Sequence, residues 1–137
     1  YRTLQLADPE NAALRTNPDA GRWVERLLEE ARNRRISVVL ETTMRQPDNV
    51  QRIMRAFQEA GYRTEARVVA VSERESWQGV HLRYEATLAV GGSARFTVKA
   101  VHDAAAVGML ASLERIEDQG LADRVEVRRR TGETVYD

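Results

Sequence analysis

The chain has 137 residues, 42% of them hydrophobic, with 21 basic and 21 acidic side chains and no cysteine. That length suits one domain spanning residues 1–137 with a core of its own, and the balanced charge argues against a nucleic-acid binder. Without cysteine there is no disulfide or thiolate chemistry. With no apolar run of about 18 residues and no leader pattern, a cytoplasmic protein free of the membrane is expected.

In chain order, Thr16-Asn17-Pro18-Asp19 supplies capping residues and a proline suited to a helix start. The helix that follows carries Trp23, Val24, Leu27, Leu28 and Ala31 at helical spacing, and its alternating charges form a solvated face. Residues 36–40 are a continuous apolar run, Ile-Ser-Val-Val-Leu, ending abruptly in Glu41-Thr42-Thr43-Met44-Arg45. Such a run reads as a strand buried on both faces of a parallel sheet, with the polar residues at its carboxyl end, where open α/β sheets bind ligands. Pro47-Asp48-Asn49 then opens a second helix with Val50, Ile53, Met54, Phe57 and Ala60 facing inward, and Gly61 closes it.

A second buried strand follows from Ala66 to Val71, giving a βαβ unit with parallel strands. Ser72 and Glu75 form a capping box for a helix running to about Leu88 with Trp77, Val80, Leu82 and Tyr84. Gly91-Gly92-Ser93 breaks the pattern as a hinge or lid tip. Helical spacing returns from about Val98 to Glu117, with Gly108 as a point of interruption and Gly120 as the stop. Val125-Glu126-Val127 reads as a short strand, and a turn at Thr131-Gly132-Glu133 leads to Thr134-Val135-Tyr136.

These residues resemble the zeta toxin family. Glu41-Thr42-Thr43-Met44-Arg45 is similar to its Glu-Gly-Thr-x-Arg signature. Gly61-Tyr62, Arg83-Tyr84-Glu85, Ala94-Arg95 with Thr97, His102-Asp103 and the closing segment from Arg130 to Tyr136 follow in the family's order. The resemblance implies an α/β, P-loop-kinase-like three-layer parallel sheet flanked by helices. It also implies transfer of the γ-phosphate of ATP, with Mg2+, to the sugar 3'-hydroxyl of UDP-N-acetylglucosamine or a similar acceptor, and an antitoxin protein as a possible partner. By that match Glu41, Thr43 and Arg45 contact the nucleotide-sugar, while Arg83 and Arg95 serve catalysis and nucleotide binding by bracketing the transferred phosphate; no metal ligand is assigned. Forks of guanidinium aimed at developing phosphate charge are a recurring part of such chemistry.

The sequence departs from the signature at Thr42, which stands where the family has glycine and adds a side chain close to the acceptor. The 137 residues also hold no Gly-x-x-x-x-Gly-Lys-[Ser/Thr] loop and no catalytic-base aspartate after one. Lys99, the sole lysine, has neither strand nor glycine pattern before it. The expectation is therefore a C-terminal portion of the kinase domain, lacking the first strand and inactive by itself. A non-catalytic module holding a nucleotide-sugar or an antitoxin-like partner is the alternative.

Each residue also has a plainer reading. Glu41 could cap the next helix, Thr43 could satisfy a turn, and Arg83 could sit in a surface ion pair. Arginine dominance could reflect coding bias as readily as phosphate forks. His81 and His102 lie too far apart for a local metal motif, and His102 with Asp103 cannot serve one atom, because helix neighbours point about 100° apart. His102 is expected to pack or cap, Trp23 and Trp77 to sit in the core, and Tyr1 is a candidate pocket residue.

Overall fold

A computed structural model of the chain describes residues 2–8, 11–92 and 94–137. The expectation for Tyr1 and that for Ser93 lie outside them. Among the described residues the elements are α1 (Arg2–Ala7), α2 (Ala12–Asn33), α3 (Pro47–Glu59), β1 (Glu65–Ala70), α4 (Glu73–Ala89), α5 (Lys99–Asp118), β2 (Arg124–Arg129) and β3 (Thr134–Tyr136). The architecture is mixed α/β, as the sequence implies. β1 and β2 pair in parallel from Glu65 opposite Arg124 to Ala70 opposite Arg129, and β3 joins β2 antiparallel. A parallel pair requires a long crossover, and the chain between β1 and β2 supplies α4 and α5.

Local signals set most boundaries. Pro47 opens α3, where its missing N–H costs nothing. Gly61 adopts φ 79° just past the end of α3, and the N–H groups of Gly61 and Tyr62 donate to the carbonyls of Gln58 and Phe57. This is the Schellman stop, completed by edge-to-face contact of Phe57 with Tyr62 at 4.9 Å. Gly120 closes α5 the same way, with Leu121 N–H reaching Ile116 O at 2.9 Å. The helix α5 is unbroken at Gly108, contrary to the expected interruption.

Two larger expectations also fail. The first helix does not start at Pro18: α2 begins at Ala12 and contains Pro18. The aspartate of Asp8 accepts from both the backbone and the side-chain amide of Asn11, so the turn into α2 is set upstream of the proline. An internal proline costs about 3 kcal/mol, here offset across a 22-residue helix that buries Ala12, Leu28 and Ala31. Trp23 and Leu27 on the same helix are 65% and 67% exposed, so Trp23 is not a core residue.

The second failure is the apolar run itself. Residues 36–40 form no strand, and Val39 is 97% exposed. A strand exists only where a neighbour takes up its N–H and C=O groups, and among the described residues none pairs with this run.

By contacts the chain divides into two compact units, Tyr1–Leu40 with Arg74–His102, and Glu41–Glu73 with Asp103–Asp137. In the second unit Ile116, Leu121 and Ala66 form the core, with Met44, Val50, Met54, Ala122 and Val125 packed against it. Full burial of side chains such as Ile116 and Leu121 contributes about 1.5–3 kcal/mol each. Thr64, buried at the foot of β1, fixes the start of the parallel pair. Its N–H donates to Asp123 Oδ2 at 2.6 Å, its hydroxyl donates to Leu121 O at 2.9 Å, and its own carbonyl accepts from Asp123 N–H at 2.8 Å.

In the first unit an aromatic cluster ties α4 to the chain that follows it. Trp77 meets His81 edge-on at 4.5 Å and His102 at 5.2 Å, and Phe96 meets Tyr84 at 5.2 Å. Trp77 is half-buried. His102 is buried with Nε2 3.0 Å from Ser76 Oγ, the packed role expected of it.

Candidate functional site

The signature segment lies in the second unit, on the connection between α2 and α3. One of its residues differs from the rest. Glu41, Thr43 and Arg45 are exposed, whereas Met44 between them turns inward onto the Ile116 core. Met44 takes φ 51°, a left-handed conformation that costs a residue with a Cβ about 1 kcal/mol or more. Three contacts hold it there. Its N–H donates to Thr42 Oγ1 at 3.2 Å, and its carbonyl accepts from the hydroxyl of Ser112, a residue 1% exposed, at 2.6 Å. The third is Gly108: a Cβ built there would stand 2.0 Å from Arg45 O, so this backbone can rest on α5 only over a glycine. Arg115, one turn further along α5, pairs with Asp48 and donates to Gln51 Oε1 at 3.2 Å, tying down the first turn of α3.

Thr42 thereby finds its role. Its side chain does not simply replace a glycine with bulk; it accepts a hydrogen bond two residues on and helps shape the turn. The result is a carboxylate, a hydroxyl and a guanidinium presented to solvent from a backbone fixed on one side by a helix.

Arg83 and Arg95 belong to the first unit. Arg83 is exposed on α4, where its carbonyl accepts from Thr87 Oγ1 at 2.7 Å. Arg95 is exposed on the connection to α5 and its guanidinium donates to Asn17 Oδ1. Phe96 contacts Tyr84, ring centroids 5.2 Å apart, and each is next in sequence to one of these arginines; Ala94 on the same connection is buried. Gly91 and Gly92 are a Schellman stop for α4. Their N–H groups donate to Leu88 O and Thr87 O at 2.9 Å each, and Gly91 has φ 69°. Lys99 lies with Nζ 5.8 Å from the Trp77 ring centroid, a cation–π position.

Sequence reasoning missed Gly108, Ser112 and Arg115, because the pattern alone marks α5 as a helix and Gly108 as a flaw in it. The signal was present: two small residues four apart lie on one helix face, a pattern that marks close approach of another backbone.

Among the described residues no helix is long and apolar enough to cross a membrane. The zeta toxin family model matches residues 1–137. The chain is 24% identical over 138 residues to Toxin PezT of Streptococcus pneumoniae, covering 100% of this chain and 54% of that protein. It is 29% identical over 120 residues to Toxin zeta of Enterococcus hirae, covering 87% of this chain and 42% of that one. It therefore spans about half the length of the curated relatives it matches. With a family match running the whole length, and the signature segment seated as a distinct structural feature, the chain belongs to the zeta toxin family.

Proposed function

We propose that residues 41–45 form the acceptor side of a kinase, with Glu41, Thr43 and Arg45 receiving UDP-N-acetylglucosamine or a similar nucleotide-sugar. The observation that carries this reading is the contrast within the segment: Met44 packs partly buried against the core while the carboxylate, hydroxyl and guanidinium on either side are exposed. A carboxylate and a hydroxyl accept hydrogen bonds from sugar hydroxyls, and a guanidinium matches a diphosphate in planar fashion. Arg83 and Arg95 are assigned to the charge that develops on the phosphoryl group during transfer.

ATP with Mg2+ enters as the phosphate donor through the family. It would supply the transferred group, and the residues of this chain assigned toward it are the two arginines. No Gly-x-x-x-x-Gly-Lys-[Ser/Thr] segment occurs in the 137 residues, and Lys99 is engaged with Trp77, so no further step toward the donor follows from this chain. A second reading is a module that binds the nucleotide-sugar or an antitoxin-like partner without transferring phosphate. An antitoxin protein is the partner we propose for either form.

An ATP-consumption assay on the full-length protein with UDP-N-acetylglucosamine decides between the readings. Turnover that falls about 100-fold in Arg83→Ala and Arg95→Ala supports the kinase. Unchanged turnover in both variants removes their assigned roles. Binding of the nucleotide-sugar with no ATP consumption establishes the module.

A further inference from the structure

The signature segment is supported by a ledge on α5, and we infer that Gly108 and Ser112 are positioning residues that set acceptor affinity without touching the acceptor. The inference rests on reading residues 41–45 as the acceptor segment. Met44 holds a left-handed backbone on a residue with a Cβ, a conformation that survives only when its surroundings enforce it. The Ser112 hydroxyl, 1% exposed, donates to Met44 O at 2.6 Å and has no role in the sheet. Gly108 lies one turn earlier on the same face, directly beneath Arg45 O, where a Cβ would come within 2.0 Å of that oxygen and 2.9 Å of Arg45 Cα. The glycine thus sets the height of the segment over α5 and the serine sets its rotation.

Exposed Glu41, Thr43 and Arg45 inherit both settings, because their side chains have no burial of their own to orient them. Ser112→Ala leaves Met44 O without its donor and lets the turn relax. Gly108→Ala forces the Arg45 carbonyl outward. In each case the three acceptor groups lose their common alignment although all remain present, which distinguishes a positioning role from a binding one.

The test combines amide hydrogen exchange with calorimetric titration of UDP-N-acetylglucosamine, both on the full-length protein. Ser112→Ala and Gly108→Ala are expected to speed exchange at residues 42–46 and to weaken binding about tenfold, the effect of losing one buried hydrogen bond. Ser112→Cys, which keeps the size and a weak donor, is expected to fall between wild type and Ser112→Ala. Val68→Ala, which thins the core at a buried β1 position, is the control: it lowers the melting temperature and leaves the affinity unchanged. Equal weakening by Val68→Ala would overturn the inference, and so would Ser112→Ala with wild-type exchange at residues 42–46. Faster exchange in Ser112→Ala, in a protein whose wild type takes no nucleotide-sugar, would uphold the ledge and refute the acceptor reading.

Discussion

Arg35 ends α2 at φ 58°, the position where a helix ordinarily places glycine. Ile36 N–H donates to Ala31 O at 2.9 Å and Arg35 N–H to Arg32 O at 3.2 Å, so the Schellman geometry forms in spite of the Cβ. Arg35→Gly is therefore expected to stabilise the protein by about 0.5–1 kcal/mol, read as a higher melting temperature; a fall would show that the arginine side chain contributes more than its strain costs. Met44 makes an instructive contrast at φ 51°. There the same substitution would withdraw a side chain from the Ile116 core, so relief of strain would not compensate. Met44, one of two non-glycine residues with positive φ among the described residues, is held by Ser112 of another helix and sits in the signature segment.

At the scale of elements, α3, β1, α5, β2 and β3 were legible because their limits are local. Proline at a first turn and Gly61, Gly120 and Gly132 with positive φ each settle a boundary with residues a few positions away. What sequence could not show was whether a run would find a partner. Residues 36–40 satisfy every pattern rule for a buried strand, yet pairing depends on chain far off in sequence, and the run stands open. The candidate site was legible in its exposed residues for the same reason: Glu41, Thr43 and Arg45 carry recognisable chemistry, whereas Gly108 and Ser112 matter only through contacts more than sixty residues away. The open run has a consequence of its own. Val39 at 97% exposure, with Ile36, Val38 and Leu40 exposed beside it, is an apolar surface in no sheet, and such segments pair with copies of themselves. The 137-residue chain is expected to associate with rising concentration in analytical ultracentrifugation, and Val39→Asp to reduce that association. Equal sedimentation of the two would show that the run is not the cause.

At the scale of the whole molecule, a cluster of charges gathers in the second unit, on the face of the sheet opposite Ala66 and Val68. Glu126, 2% exposed on the central strand, sits among Arg67, Arg124 and Arg128. Its Oε1 accepts from Arg128 Nε at 2.8 Å, and Arg67 Nε lies 3.7 Å from Oε2. The hydrogen bond from Arg128 holds this carboxyl below its usual range, and the charges of Arg128, Arg124 and Arg67 add to it against the opposing effect of burial. Asp137 is lowered in the same way by Arg124, which in turn is raised by it. Carboxyls depressed in the folded state contribute stability that is fully present above their unfolded values, about 3.9 for Asp and 4.3 for Glu, and is lost as pH falls through the lower folded values. Acid should therefore loosen this unit at its sheet, while the first unit, which lacks a comparable buried carboxylate among its described residues, answers to pH differently. Amide exchange from pH 7 down to about 3 checks this: protection in β2 and β3 should fall below about pH 4 before protection in the Trp77 and Phe96 cluster does. Glu126→Gln should lower protection in the sheet at pH 7, because a neutral amide removes the carboxylate that Arg128 shares with Arg67 and Arg124, leaving only Glu65 and Asp137 to offset the latter two, and should flatten the acid dependence. An acid profile unchanged by Glu126→Gln would locate the sensitivity in Asp137 and its pair with Arg124 instead.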